Sequence, residues 1–381
     1  MRIALWLRTF LPEIGGIQTL GALLADGAAR LGHEVLVLAA PGPRCGEARE
    51  RRPSGVHVAR VGPAEPLAGD LDDRLAVYRA YEREIDEFAP DVVHVHVAGP
   101  YVAYANELHE RRALPWMLTV HNNHAGQGRA FGRESPLGTA IATADAVTAV
   151  SHDTCRWLVD TWPEHARRIA VIHNGIEAPQ TTTAVPPKGP IVFVGRLEPQ
   201  KRLDVLLDAF ARVVARNDTA RLRIVGDGSQ RDELESQRQA LGLAGRVDFV
   251  GALPTESVAA ELRAARALVL SSDFEGLPIV ALEAAANARA VVATRAGGIA
   301  ELVADGVTGL LVEVGDIDGL ADALSTVVDD PALAVRLGAA GRERVASEFG
   351  ADRCVQAYVE RYGALVGRWS AEGRGSANRT R

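Results

Sequence analysis

Short apolar runs alternate along this chain with longer stretches in which apolar residues recur every three or four positions. The runs 2-RIALWL-7, 34-EVLVLA-39, 91-DVVHVHV-97, 117-MLTV-120 and 146-AVTAV-150 read as strands, with helical patterns at 17–31 and 71–88 among them. A second series opens at 191-IVFVG-195 and runs through 222-LRIVG-226, 247-VDFVG-251, 267-ALVLS-271, 291-VVAT-294 and 310-LLVE-313. Helical segments follow most of these strands, 202-RLDVLLDAFARVVA-215 among them. Such alternation predicts parallel sheets covered by helices. Between the two series, 178-APQTTTAVPPKGP-190 holds four prolines and three threonines in thirteen residues, which reads as a linker. The expected fold is α/β: two doubly wound Rossmann-like domains, 1–177 and 191–348, facing a central cleft where their strands end. A helix over 349–370 is expected to pack back on the first domain, with a disordered tail at 371–381.

Length and charge narrow the function. A chain of 381 residues fits about two domains, and 47% hydrophobic against 24% charged residues is enough for sizeable cores. A net charge of −7 argues against a protein that coats nucleic acid, because phosphate binding needs concentrated positive charge. Cys45, Cys155 and Cys354 are scattered and form no CxxC pair, so a reducing, cytoplasmic setting is expected in place of a disulfide framework. The start, MRIALWLRTF, has five apolar residues between Arg2 and Arg8, too few for a signal-peptide core. No window approaches the ~18 apolar residues of a membrane span. The segment 100-PYVAYANELHERRALPW-116 combines aromatics with two arginines, which fits either weak peripheral membrane contact or core packing.

Ligands of doubly wound folds bind outside the carboxyl ends of the strands. A dinucleotide fingerprint is not there: the nearest stretch, 226-GDGSQR-231, has Arg231 where a third glycine belongs. A nucleotide diphosphate fits better. In 193-FVGRLEPQKRLDVLLDAF-210 a strand ends at Gly195, and Arg196 and Lys201 follow in the loop and at the start of the next helix. In 271-SSDFEGLPIVALEA-284 a strand gives way to a helix start, whose free N–H groups and positive dipole end form a phosphate cradle, with Pro278 in its first turn. Gly276 lets backbone approach a ligand closely. Gly15 and Gly16 offer a similar turn in the other domain. Glu283, inside the helix, can accept two hydroxyl hydrogen bonds from a ribose. Glu275, ahead of it, would face the group beyond the second phosphate and could steady positive charge there. Each of these residues also has a bland alternative as solvated surface charge or a dipole-complementing acid.

The stretches VGRLEPQKRLDVLLDAF, IVGDGSQRDELE, VDFVG, SSDFEGLPIVALEA and VVATRAGGIAELVADGVTGLLV together resemble the group 1, or family 4, glycosyltransferases of GT-B fold. The resemblance is strongest over 190–313 and continues more weakly in GGIQTLGALLADGAARLGHEVLVL, DVVHVH, TVHN and VIHNGI. It implies sugar transfer from a nucleotide diphosphate sugar with retention at the anomeric carbon. Arg196 and Lys201 match the family's diphosphate clamp, Glu275 and Glu283 its two-glutamate motif on donor sugar and ribose. Gly276, Leu277, Pro278 and Ile279 match its phosphate-binding turn, and Gly16 its amino-terminal glycine loop. His121 matches the histidine that meets the transferred sugar. One departure stands out: after Glu283 the family usually has Gly and Pro, whereas 286-ANARAVVAT-294 has Ala288 and Ala290.

No cofactor is implied. His94 and His96 alternate on one strand face but lack a third ligand of plausible spacing, which disfavours zinc; His96 is expected to line the cleft, and His94 and His173 to be structural. No metal is expected either. Asp70 and Asp72 precede a helix far from the cleft, and Asp316, of the pair Asp316 and Asp318, reads as a helix N-cap. The rival readings are a nucleotide-sugar epimerase on the same fold and a non-catalytic binding subunit. The latter conflicts with the intact set of Arg196, Lys201, Glu275 and Glu283. UDP is favoured slightly over GDP as the donor's nucleotide. The acceptor, be it small molecule, glycan or lipid, would be set by loops 8–16, 41–55, 62–70 and 122–136, where Arg129 and Arg133 could meet an anion.

Overall fold

A computed structural model of the chain describes residues 1–44, 48–62, 71–96, 101–124 and 131–372, with only the backbone of 71–74 and 101. The chain divides into two compact units, one formed by Met1–Gly175 with Ala351–Arg381 and the other by Ile176–Gly350.

Unit 1 is built on a sheet of β1 (Arg2–Trp6), β2 (Glu34–Ala39), β3 (Arg49–Arg51), β4 (His57–Arg60), β5 (Val92–Val95), β6 (Trp116–Val120), β7 (Ala146–Ala149) and β8 (Ile169–Val171). Its strand order is β3-β4-β2-β1-β5-β6-β7-β8, parallel throughout except for the edge pair β3–β4. Ile3 lies in register with Val35 on one side and Val92 on the other. The apolar runs are continuous because both faces are covered: Ile3, Ala4, Leu5 and Trp6 are all within 1% of full burial. Helices α1 (Gly16–Arg30), α2 (Leu71–Phe88), α3 (Tyr101–Arg112), α4 (Pro136–Thr143) and α5 (His152–Thr161) make the connections.

Unit 2 carries β9 (Ile191–Val194), β10 (Leu222–Val225), β11 (Val247–Gly251), β12 (Ala267–Leu270), β13 (Ala290–Thr294) and β14 (Gly309–Val312), ordered β11-β10-β9-β12-β13-β14 and all parallel. Its helices are α6 (Leu203–Arg216), α7 (Arg231–Ala240), α8 (Thr255–Ala264), α9 (Ile279–Ala286), α10 (Ile299–Leu302), α11 (Ile317–Asp329) and α12 (Pro331–Glu348). The last helix, α13 (Ala351–Ala371), returns to unit 1. There it lies so close to α1 that a Cβ on Gly27 would stand 2.5 Å from a Val355 methyl. Its Trp369 Nε1 donates to the Ala113 carbonyl (2.8 Å).

Three departures from the sequence reading have physical causes. The strands β3, β4 and β8 escape the sequence pattern: RER and HVAR carry polar residues at or next to one sheet edge, where one side need not be apolar, and IAV at the other edge is only three residues long. Pro278 stands at the N-cap of α9, one place ahead of the first turn. Residues 178–190 form no free linker but belong to unit 2. Arg289, fully buried, meets no carboxylate among the described residues and places its guanidinium among main-chain and hydroxyl oxygens. It donates to Leu262 O (3.1 Å), Arg263 O (2.6 Å) and both Thr183 O (3.1 Å) and Thr183 Oγ1 (2.6 Å). A buried cation must be satisfied, and the proline- and threonine-rich strap supplies the oxygens.

The family's usual glycine after Glu283 corresponds to Ala288, which adopts φ 57 in the left-handed region. The turn therefore keeps its shape with a Cβ that costs about 1–2 kcal/mol. Ala288→Gly removes that strain but loosens the unfolded chain by about 0.4–1 kcal/mol. We expect a net gain of roughly 0.5–1 kcal/mol and a Tm higher by about 1–4 °C in thermal unfolding. A lower Tm would show that the turn is not strained.

Candidate active site

In unit 2 the strand order reverses between β9 and β12. Loops leaving two strands at such a reversal diverge and leave a crevice for a ligand. The first loop starts at Gly195. It is pressed against the turn after β10 so closely that a Cβ on Gly226 (φ 142) would fall 1.8 Å from Gly195 O. Only glycine fits there. Arg196 follows, exposed, and then a 3₁₀ turn over Pro199–Lys201.

The second loop bolts onto that turn. Ser271 Oγ donates to Lys201 O (2.8 Å), and Asp273 N donates to Gln200 O (2.9 Å). Arg202, in the left-handed region at φ 48, heads α6 and donates to Asp273 Oδ1 (3.0 Å) and Asp204 Oδ1 (3.1 Å). Within this frame the Lys201 ammonium donates to Glu275 Oε1, which also accepts from Ser272 Oγ (2.7 Å). Glu275 is only 4% exposed. Its main chain is held as well: Thr294 Oγ1 donates to Ser272 O (2.6 Å) and Gly298 N to Glu275 O (3.3 Å).

Gly276 and Leu277, both buried, lead to Pro278 and to Ile279, which opens α9. The helix has no acid in its first turn and no side-chain cap, so its dipole end is left for another partner. α9 is otherwise apolar, with Ile279, Ala281, Leu282, Ala284, Ala285 and Ala286 buried. Glu283 is its acid, partly exposed, and burial pushes its carboxyl up to about 7. This places Arg196, Lys201, Glu275, Gly276, Leu277, Pro278, Ile279 and Glu283 on two neighbouring loops and the helix that follows them.

Gly15 and Gly16 lie in unit 1, at the N-cap and first residue of α1, beside the β1–β5 reversal of that sheet. His94 and His96, on and just beyond β5, are fully buried with rings 4.0 Å apart. His94 Nδ1 meets Tyr362 Oη (2.6 Å) and its Nε2 meets Thr119 Oγ1 (2.7 Å). His96 Nδ1 meets Nε2 of His121 (3.2 Å), which follows β6. Burial depresses all three: His94 and His96 fall well below the ordinary range, and His121 to about 4. At neutral pH they are uncharged.

Other expected residues fall elsewhere. Asp316 caps α11, accepting from Gly319 N (2.8 Å), and Asp318 pairs with Arg212. Asp72 lies within α2, not ahead of it. Arg133 is exposed and engaged by Glu164 (3.0 Å) and Thr161 O (2.7 Å). His173 meets His152 edge-on at 5.4 Å. Tyr104 and Trp116 are buried in the unit 1 core, which leaves neither for a membrane surface. No helix among the described residues is long and apolar enough to cross a membrane. Cys155 and Cys354 form no disulfide among the described residues. Asp70, Arg129, Cys45 and the tail 373–381 lie outside the described residues, as do parts of the expected acceptor loops. Sequence reading missed Ser272 and the Arg202–Asp273 bridge; the polar SSD ahead of Glu275 was the available signal.

Comparison with known proteins bears on the family and the fold. Residues 14–179 match the family described as Glycosyltransferase Family 4, and 178–344 match Glycosyl transferases group 1. Glycogen synthase of Mycobacterium tuberculosis is 34% identical over 274 residues, 68% of this chain, and the chain spans 65% of that relative's length. D-inositol 3-phosphate glycosyltransferase of Geodermatophilus obscurus is 32% identical over 351 residues, 82% of this chain and 76% of the relative. Sucrose-phosphate synthase from Thermosynechococcus elongatus shares the fold with a TM-score of 0.83 at 23% identity, covering 96% of this chain and 99% of that one. The Anabaena protein HepE in complex with UDP-glucose gives 0.80 at 20% identity over 96% and 100%. These matches are to synthases and transferases, which leaves the epimerase reading without support. With both halves matched in order and a relative covered over three-quarters of its length, the chain belongs to the group 1 glycosyltransferases and has their GT-B fold.

Proposed function

We propose that the chain is a retaining glycosyltransferase that moves a hexosyl group from a nucleotide diphosphate sugar, UDP in preference to GDP, to a hydroxyl acceptor. The bond between the anomeric carbon and the diphosphate oxygen breaks, and a bond from the acceptor oxygen forms on the same face. The acceptor's proton leaves with the diphosphate. The observation that carries this reading is the meeting of Lys201, Glu275 and the uncapped start of α9 at the strand reversal of unit 2. A departing diphosphate develops negative charge, and cations with a helix N-terminus stabilise it without reorganising. Arg196 and Lys201 are the cations. Glu283 takes the ribose hydroxyls and Glu275 the sugar side; His121, Gly15 and Gly16 are the unit 1 residues that the family resemblance adds. UDP is favoured because HepE, of the same fold, is seen with UDP-glucose.

The two cations predict different failures. Arg196→Ala removes an exposed charge, so turnover falls about ten- to a hundredfold, as losing a charged hydrogen bond worth roughly 1.5–3 kcal/mol implies, while Tm holds. Lys201→Ala does that and also strands the buried Glu275, costing roughly 3 kcal/mol of stability. Steady-state kinetics and thermal melts separate the two, and wild-type turnover in both variants would refute the clamp.

Glu283 predicts a pH dependence. With its carboxyl at about 7, it is protonated below that pH and accepts hydroxyl bonds poorly. Binding ribose favours the ionised form, so affinity for UDP-glucose rises as pH increases through 7. Glu283→Gln flattens this trend. Calorimetric titration between pH 6 and 8 checks it; an unchanged slope in the variant counts against Glu283 as the ribose ligand.

Turnover should also survive excess EDTA, with a loss under about twofold. Asp316 and Asp318 are committed to a cap and to Arg212, and the diphosphate charge is met by Arg196, Lys201 and α9. Abolition by EDTA with rescue by magnesium or manganese overturns this part of the reading.

A further inference from the structure

The buried imidazoles of unit 1 are not equivalent. His94 belongs to a closed network whose donors can be assigned by following it to its end. Thr148 Oγ1 donates to Leu118 O (3.4 Å) and lies 2.6 Å from Thr119 Oγ1, which lies 3.3 Å from Tyr358 Oη. If Tyr362 donates to His94 Nδ1, then His94 Nε2–H donates to Thr119, Thr119 to Thr148 and Thr148 to the carbonyl. Every proton in the chain then has an acceptor, and Tyr358 donates to Thr119 as well. Reversing the direction leaves the buried Tyr362 hydroxyl proton with no acceptor among the described residues. His94 is thus a satisfied structural residue.

His96 is different. Its Nδ1 faces His121 Nε2 at 3.2 Å, while its Nε2 is buried and has no hydrogen-bond partner among the described residues. Both rings are neutral, so one of the two facing nitrogens carries the proton. A proton on His96 Nε2 would be a buried donor with nothing to receive it. A proton on His96 Nδ1 leaves only a lone pair unmatched at Nε2, and orphaned buried acceptors are tolerated more often than orphaned donors. The bond therefore runs from His96 Nδ1–H to His121 Nε2. A neutral imidazole has one proton, so that of His121 must then be on Nδ1.

We propose that His96 is a positioning residue that holds His121 in its Nδ1–H tautomer, so that His121 meets its ligand as a hydrogen-bond donor and not as a base. For a sugar ligand the partner is a hydroxyl oxygen. The identity of that ligand rests on the glycosyltransferase reading above; the tautomer does not. The arrangement also gives a role to a histidine at 96, where a buried apolar residue would leave no orphaned nitrogen. It directs a neighbour whose own burial cannot choose between its two nitrogens.

The test is a long-range ¹⁵N–¹H correlation spectrum of the histidine rings in the full-length protein at pH 7.5, with His121 assigned by its loss in His121→Asn. The expected wild-type pattern is a protonated Nδ1 and an unprotonated Nε2 at His121. His96→Leu removes the donor, and His121 should then populate the Nε2–H form. His96→Asn, whose amide nitrogen can stand where Nδ1 stood, should restore the wild-type pattern. In parallel, turnover should fall about tenfold in His96→Leu and recover to within about threefold in His96→Asn. A wild-type His121 protonated on Nε2 overturns the proposal, as does a spectrum that His96→Leu leaves unchanged. If His96→Leu does not fold, the wild-type spectrum with that of His96→Asn still decides. Failure of the glycosyltransferase reading would look different: no wild-type turnover with any nucleotide sugar, whatever the ring spectra show.

Discussion

Glu275 is the constraint around which unit 2 is arranged. Its carboxylate is almost sealed from solvent, and a buried charge persists only with a counter-charge and hydrogen bonds around it. The counter-charge is Lys201, 74 residues away in the chain. For that ammonium to arrive, the loop after β9 must turn tightly at Pro199–Lys201 and step through a left-handed residue at Arg202. The loop after β12 must come to meet it, which the Ser271 and Asp273 bonds ensure. Thr294 and Gly298 then tie in the loop after β13. Three strand ends are thus fastened around one carboxylate, and the same fastening sets where α9 begins.

Unit 1 resolves its buried titratable groups in the opposite way. Around His94, His96 and His121 burial removes the charge, and the network is satisfied by tautomers and hydroxyls instead of by an ion pair. That solution depends on α13, because Tyr358 and Tyr362 both come from it. The helix can reach the sheet only because Gly27 lets it lie against α1. A helix more than 200 residues downstream of β5 therefore completes the core beneath His94.

What could be read from the sequence follows from this. Buried parallel strands were legible because both faces need apolar residues, so VVHV, IVFV and ALVL stand out at once. RER did not, since an edge strand needs no such run, and IAV, though apolar, is only three residues long. Arg196, Lys201 and Glu275 could be named as candidates by their places after strand ends, and Glu283 by its place in the helix that follows. That Lys201 and Glu275 touch could not, because proximity across 74 residues is a property of sheet order. The left-handed turn at Ala288 was visible only as a missing glycine, and the acceptor role of Thr183 only once buried Arg289 demanded oxygens. Local pattern reports burial and turns; it does not report which polar groups satisfy one another across the fold.

On the proposed reading, the contrast between the units matches the chemistry of a nucleotide-sugar reaction. A leaving diphosphate changes its charge during reaction, and charge is stabilised most by fixed cations and oriented dipoles. Unit 2 holds these, and holds them before any ligand arrives, because Lys201 already has a carboxylate partner. A sugar hydroxyl stays neutral throughout, and a cation beside it would be desolvated for little return. Neutral imidazole is better suited, provided its donor and acceptor sides are fixed. Glu283 lies between these cases: burial beside the apolar α9 face pushes its carboxyl up to about 7, where it can change state near neutral pH. A carboxylate that stayed ionised there would destabilise the fold at all times, whereas, on the proposed reading, one that ionises on contact does so only when a ribose supplies the hydrogen bonds that offset it.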